Sequence, residues 1–215
     1  RLVAVDNTVY VTLSLGGPVK ALDAATGNTI HTYEGTDGAR EIIVSGQKLF
    51  VLTGGTPGKI NASSTGDVRQ RISQPWWSDE PSRVMAYEAD TGKLLWSKKS
   101  RVLPLTMSAA DGLLCFHNGR HVVCLQTETG KQKWTSTPVE RSPRIMSFFG
   151  PTLVIHNGTV VFAGGKVSGM QSPRPLQKND RMTALDLQTG KKLWSAPHPP
   201  SGYRSPEDIF VLGNR

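Results

Sequence analysis

Short runs in which apolar and polar residues alternate fill most of the chain, and turn-forming pairs separate them. Leu2-Val-Ala-Val5 and Val9-Tyr-Val-Thr-Leu13 flank Asp6-Asn7, and Glu41-Ile-Ile-Val44 and Lys48-Leu-Phe-Val-Leu52 flank Ser45-Gly46. Thr106-Met-Ser-Ala109 and Leu113-Leu-Cys-Phe116 flank Asp111-Gly112. Thr152-Leu-Val-Ile155 and Val160-Val-Phe-Ala163 flank Asn157-Gly158. A two-residue period is that of a strand, and a turn pair between two such runs makes a hairpin. The pattern predicts an all-β chain.

Behind each hairpin comes a second pattern, and the chain states it four times. The copies are Ala21-Leu-Asp23-Ala-Ala-Thr26-Gly27-Asn-Thr-Ile-His31, Ala86-Tyr-Glu88-Ala-Asp-Thr91-Gly92-Lys-Leu-Leu-Trp96, Cys124-Leu-Gln126-Thr-Glu-Thr129-Gly130-Lys-Gln-Lys-Trp134 and Ala184-Leu-Asp186-Leu-Gln-Thr189-Gly190-Lys-Lys-Leu-Trp194. In all of them a small residue opens the motif, Thr-Gly follows, and a ring closes it. Each copy reads as a hairpin whose Gly supplies the positive φ of the reversal. The closing ring lies over the space that the Ala or Cys leaves open, and if it also touches the neighbouring copy it joins one unit to the next. Internal repetition at this scale decides the architecture, and four strands in each short unit are the content of one propeller blade.

The motif resembles the tryptophan-docking repeat of the quinoprotein-type β-propellers, the pyrroloquinoline quinone (PQQ) repeat superfamily. The resemblance implies a single β-propeller segment over residues 1–215, built of four-stranded antiparallel blades at about 1–35, 40–100, 101–138 and 139–197. Residues 203–215, with the run Glu207-Asp-Ile-Phe-Val-Leu212, are expected to open a fifth blade. Such propellers usually have seven or eight blades, so four look like a partial ring. The expectation is a segment of a longer chain, or a ring that closes by association. The docking residues are then Ala21, Gly27 and His31; Ala86, Gly92 and Trp96; Cys124, Gly130 and Trp134; and Ala184, Gly190 and Trp194, with His31 a degenerate ring.

The interval from Thr91 to Thr129 is that of one uninterrupted blade, whereas the two flanking intervals are longer. The excess falls in insertions at 54–83 and 164–181, both between the second and third strands of their blades. In a propeller those connections emerge on the same face as the blade-to-blade connections, so both insertions decorate one rim. The first carries Trp76 and Trp77 with Arg69, Arg71 and Arg83; paired indoles beside cations suit sugar, aromatic or peptide binding, or else pin the loop to its blade. The second carries Lys166, Arg174, Lys178 and Arg181 against Asp180, either an anion-recognising rim or a solvated loop.

The net charge of +8 changes this picture little, because the basic residues are scattered. Basic runs with interleaved aromatics are missing, so no nucleic-acid groove is expected. No apolar run is long enough to span a bilayer, and no charged-then-apolar leader stands at Arg1. A turn at Asn118-Gly119 would set Cys115 opposite Val122 and Cys124 opposite Leu113, which argues for two buried thiols and no bond between them. His117 and His121 flank that turn, His156 precedes another and His198 lies among prolines; they read as surface residues, and no metal site is expected.

In the PQQ-dependent alcohol dehydrogenases that the chain resembles, the quinone lies in the central funnel beside Ca²⁺. A catalytic Asp, carboxylate and amide ligands, and a vicinal Cys-Cys disulfide accompany it. This sequence has no adjacent cysteines, and Asp23, Glu88, Asp90, Glu128 and Asp186 fall in the outer turns. Asp79, Glu80, Glu207 and Asp208 are the acidic pairs elsewhere. No catalytic residue and no cofactor is therefore expected. The resemblance implies an extracytoplasmic bacterial scaffold that binds a protein or small ligand on the propeller face, as in the lipoprotein scaffold of the outer-membrane β-barrel assembly machinery. The alternatives are part of a PQQ- and Ca²⁺-dependent dehydrogenase whose ligands lie on other blades, and a sensing domain fused to another module.

Overall fold

The computed structural model describes residues 2–14, 16–54, 80–141, 151–164 and 181–197. They form sixteen strands in four antiparallel sheets, each a simple meander. The first sheet holds β1 (Leu2–Val5), β2 (Thr8–Thr12), β3 (Val19–Asp23) and β4 (Thr29–Thr32). The second holds β5 (Glu41–Ser45), β6 (Lys48–Gly54), β7 (Ser82–Glu88) and β8 (Leu94–Ser100). The third holds β9 (Ser108–Ala110), β10 (Leu113–His117), β11 (His121–Gln126) and β12 (Gln132–Pro138). The fourth holds β13 (Thr152–His156), β14 (Thr159–Ala163), β15 (Arg181–Asp186) and β16 (Lys192–Pro197). Among these residues there is no helix.

The turns have the chemistry that the sequence pattern requires. Asp111 and Gly112 lie at φ 52° and 73°, and Asn157 and Gly158 at 44° and 69°. Two successive positive values make the tight turn whose twist matches the flanking strands.

The first strands sit side by side, β1 against β5, β5 against β9 and β9 against β13, so they are innermost. Three apolar cores fill the spaces between successive sheets. Tyr10, Val19 and Tyr33 meet Leu49, Val51 and Tyr87 between the first two sheets. Phe50, Leu52 and Val84 meet Leu114, Phe116 and Val123 between the next two. Leu113, Cys115 and Trp134 meet Leu153, Phe162 and Leu185 between the last two. Adjacent residues of β6 thus face different cores, which is why Leu49 to Leu52 form an unbroken apolar run in a strand buried on both faces. This is a partial, unclosed β-propeller.

Two expectations are corrected. The hairpin of the third sheet turns one residue later than expected, because the Asn118 side chain accepts the N–H groups of Arg120 and His121. Gly119 and Arg120 become the central pair, and Cys115 stands directly opposite Cys124 rather than Val122. Both cysteines are buried free thiols. The strand expected from Thr106 starts at Ser108, since Leu105 takes φ 61° and the Thr106 hydroxyl donates to the Leu103 carbonyl. Arg69, Arg71, Trp76, Trp77, Arg174, Lys178 and the run 207–212 lie outside the described residues.

Candidate functional site

The four motif turns are built alike. The Gly N–H donates to the carbonyl of the acidic or amide residue four positions earlier in every copy, at 2.8–3.0 Å. That residue's side chain also accepts the Thr hydroxyl: Asp23 from Thr26, Glu88 from Thr91, Gln126 from Thr129 and Asp186 from Thr189. The hydroxyl and N–H of Thr26 hold Asp23 below the usual carboxylate range, and those of Thr189 do the same for Asp186. These carboxylates brace turns.

The small residue and the ring of each motif are cross-strand partners: Ala21 and His31, Ala86 and Trp96, Cys124 and Trp134, Ala184 and Trp194. In the interior of the array the ring lies on the Gly of the following sheet. A Cβ on Gly130 would fall 2.7 Å from Trp96 Cδ2, and one on Gly190 would fall 2.5 Å from Trp134 Cε3. The Trp96 N–H donates to the Thr127 carbonyl at 2.7 Å, and the Trp134 N–H to the Leu187 carbonyl at 2.9 Å. His31 sits more loosely, 3.9 Å from a Cβ on Gly92. There the equivalent carbonyl, that of Ala89, accepts the Tyr33 hydroxyl instead. Tyr33 was not foreseen as a joint residue; its place two positions beyond the weak ring is the signal.

Connections between second and third strands, and those between sheets, converge on one cleft. It has a volume of about 410 Å³ and is lined by Ser100, Arg101, Asn118, Gly119, Arg120, His121 and Arg141. Ser100 and Arg101 leave the second sheet, Asn118 to His121 turn from β10 into β11, and Arg141 leaves the third sheet. Three guanidinium groups therefore border one cavity with no carboxylate in its lining. The root of the second insertion lies at its side, since a Cβ on Gly164 would meet the Glu140 carbonyl at 2.9 Å and Arg141 Cα at 3.0 Å.

His117 underlies this cleft and is fully buried, which corrects its reading as a surface residue. It stacks on Phe162, with ring centroids 4.4 Å apart. Its Nε2–H donates to the Val139 carbonyl at 3.0 Å, and its Nδ1 accepts the Gly119 N–H at 3.0 Å. The Gly119 carbonyl in turn accepts Arg141 Nε–H at 2.9 Å. A relay of hydrogen bonds thus fixes an arginine of the cleft from the core. Burial first, with Arg141 and His121 adding to it, lowers the imidazole to about 4, although the Val139 bond works in the opposite direction.

A second cavity of about 340 Å³ lies where the first strands meet, lined by Leu2, Glu41, Ile42, Ile43, Leu105, Met107 and Thr152. Its carboxylate, Glu41, accepts the backbone N–H groups of Leu105 and Met107, one on each oxygen. Among the described residues no group of His, Cys, Asp or Glu is placed to hold a metal ion. The lining of this cavity is otherwise mostly apolar, and its one carboxylate is committed to the backbone.

Of the residues singled out from sequence, the structure joins Trp96 to Gly130, Trp134 to Gly190 and His31 to Gly92. It leaves Trp194 and Gly27 without a described partner of this kind. Arg181, foreseen as a rim cation, is tied to Ser195 on β16. Arg120 and Arg141 were not singled out, and Arg101 stood out only as part of the densest basic group, with Lys98 and Lys99. Their sequence signal was position alone, on the connections that lead to the decorated face.

Solved structures share this fold. The chain aligns over 92% of its length with 48% of the computationally designed Ika8 protein, at 15% identity and a TM-score of 0.59. It aligns over 91% with 34% of the quinohemoprotein alcohol dehydrogenase from Comamonas testosteroni, at 19% identity and a TM-score of 0.55. Quinohemoprotein alcohol dehydrogenase ADHIIG from Pseudomonas putida HK5 gives 91% and 33%, 18% identity and a TM-score of 0.56. The chain therefore spans half or less of the length of these proteins, and at such identities the likeness is one of fold. No curated protein sequence matches the chain. Residues 77–208, more than half of the chain, match the family described as outer membrane protein assembly factor BamB, and the chain belongs to that family of PQQ-repeat β-propellers.

Proposed function

We propose that the chain is an extracytoplasmic scaffold that binds a partner protein on the face where the insertions and inter-sheet connections emerge, and that the arginine cleft seats an acidic segment of that partner. The observation that carries this reading is the convergence of Arg101, Arg120 and Arg141, from two sheets, on one cavity without a lining carboxylate. Guanidinium groups bind carboxylates through paired, directional hydrogen bonds. A net charge of +8 speeds the approach of an acidic partner. Membership of a family described as an assembly factor supports a role in protein contacts. The insertions at 54–83 and 164–181, with Trp76, Trp77, Arg69, Arg71, Arg174 and Lys178, extend the same surface in this proposal. No cofactor takes part in it.

The test is calorimetric titration of the chain with a short Glu- and Asp-rich peptide. Saturable binding that weakens with salt, and at least tenfold in an Arg101→Glu/Arg120→Glu variant, is the expected result. No saturable binding at low salt, or binding indifferent to the two substitutions, overturns the cleft as the site. A parallel titration with PQQ and Ca²⁺ is expected to show nothing; saturable binding with alcohol oxidation would replace the scaffold by the dehydrogenase reading.

A further inference from the structure

The register that corrected the third sheet also brings its two cysteines together. Cys115 on β10 and Cys124 on β11 stand directly opposite each other. Both side chains enter the core between the third and fourth sheets, and both are fully buried. The hydrogen bonds at either end of this strand pair decide which kind of partners they are. The Thr127 N–H donates to the Gly112 carbonyl at 3.0 Å, and the Asn118 N–H to the His121 carbonyl at 2.8 Å. Bonded and non-bonded partners alternate along an antiparallel pair. Cys115 lies three residues from Gly112 and three from Asn118, so both ends make Cys115 and Cys124 a non-bonded pair. Side chains come closest at such positions, where the Cα atoms stand about 4.5 Å apart. A disulfide bridges Cα separations of roughly 4.4–6.8 Å, so the spacing admits a bond.

The other sheets show what else occupies this place. Opposite the small residue of the motif stand Tyr10 for Ala21, Phe50 for Ala86 and Val161 for Ala184. The third sheet departs from this pairing of a larger side chain with alanine, and it puts a thiol at both positions. Filling the core requires neither sulfur, since the Val–Ala pair serves the same place in the fourth sheet.

We infer that Cys115 and Cys124 form a cross-strand disulfide when the chain folds in the presence of a disulfide oxidant. The first thiolate attacks a sulfur of the oxidant and expels one thiolate; the second attacks the protein sulfur of the mixed disulfide and expels the other. The two S–H protons pass to the expelled thiolates, and the oxidant gains the two electrons that the pair loses. Burial confines this exchange to chains whose fourth sheet has not yet closed over β10 and β11. An extracytoplasmic chain meets such oxidants. The form with two free thiols is the reduced one. Once closed, the bond ties the two strands whose connecting turn, Asn118 to His121, lines the arginine cleft.

Refolding the reduced, denatured chain by slow dialysis with glutathione disulfide, and in parallel with dithiothreitol, tests this. The oxidised product is expected to be a single chain two hydrogens lighter, with no thiol reactive to Ellman's reagent in denaturant. Its non-reduced tryptic digest should link the peptides 102–120 and 121–131, because Arg120 lies between the cysteines. Its urea midpoint should exceed that of the reduced protein. A Cys115→Val/Cys124→Ala variant, with the pair of the fourth sheet, should show no such difference. If neither form refolds, the chain exported to a bacterial periplasm and alkylated in denaturant gives the same peptide reading. Thiols that stay free under the oxidant, or bonds formed only between chains, overturn the inference. So does a bond within the chain that lowers the urea midpoint, since it is then foreign to the native sheet.

Discussion

Trp134 and Gly190 touch across the space between two sheets, with the indole where a side chain on Gly190 would have to go. The glycine is therefore required twice, once by its φ of 70° and once by the ring above it. Gly27 has nearly the same backbone but open space beside it, so the pair separates the two requirements.

Gly27→Ala should cost about 1–2 kcal/mol for the left-handed backbone alone. Gly190→Ala should cost about 1–3 kcal/mol more, because the indole must move. Urea denaturation of the two variants checks this, and equal losses would mean that the ring yields freely.

Trp134→Ala should destabilise the chain by roughly 3–5 kcal/mol, the cost of emptying a buried aromatic site. Trp134→Phe should recover much of that while still lacking the hydrogen bond to Leu187. Trp96→Ala should move in the same direction, and a loss below about 1 kcal/mol in both would rule out a joint role for these rings.

Acid should weaken the fold through His117. The unfolded chain takes up a proton near pH 6.5, whereas the buried imidazole resists it down to about 4. Between those values the unfolded state binds more protons, so stability falls as pH falls, by up to roughly 3 kcal/mol in total. The protein should lose this increment between pH 6.5 and 4, and His117→Gln should flatten the profile there. A profile unchanged by the substitution assigns the acid sensitivity to other groups.

The Cys124 thiol beside it, and then burial, push Cys115 well above its ordinary range, so little thiolate forms at neutral pH. Ellman's reagent should leave both cysteines unmodified in the native protein and titrate two thiols in denaturant. Rapid labelling without denaturant would show that the core between the third and fourth sheets opens readily.

Much of the architecture was legible because it rests on local chemistry. Alternation, turn pairs and the Thr-Gly reversals specify hairpins within a few residues of one another, and repetition carries the rest. What escaped depends on side chains that redirect the backbone or meet across long separations. Asn118 capping Arg120 and His121 moved a turn by one residue and changed which residues face Cys115 and Cys124. His117 looked like a residue of a turn edge, but that turn is overlaid by Val139 from the next connection, which nothing nearby in the sequence announces. The arginine cleft was invisible for the same reason, since Arg101, Arg120 and Arg141 belong to three separate connections.

The substitution of His31 for an indole, with Tyr33 supplying the hydrogen bond, bears on how the chain comes apart. Stability in a row of stacked units is a sum of unit terms and nearest-neighbour couplings. The joint between the first and second sheets lacks the tight ring-on-glycine contact of the two later ones. That joint should be the first of the three to open, so the amides of β3 and β4 exchange with solvent at a lower opening free energy than those of β10 and β11. One histidine in place of an indole thus sets where the row of sheets parts first.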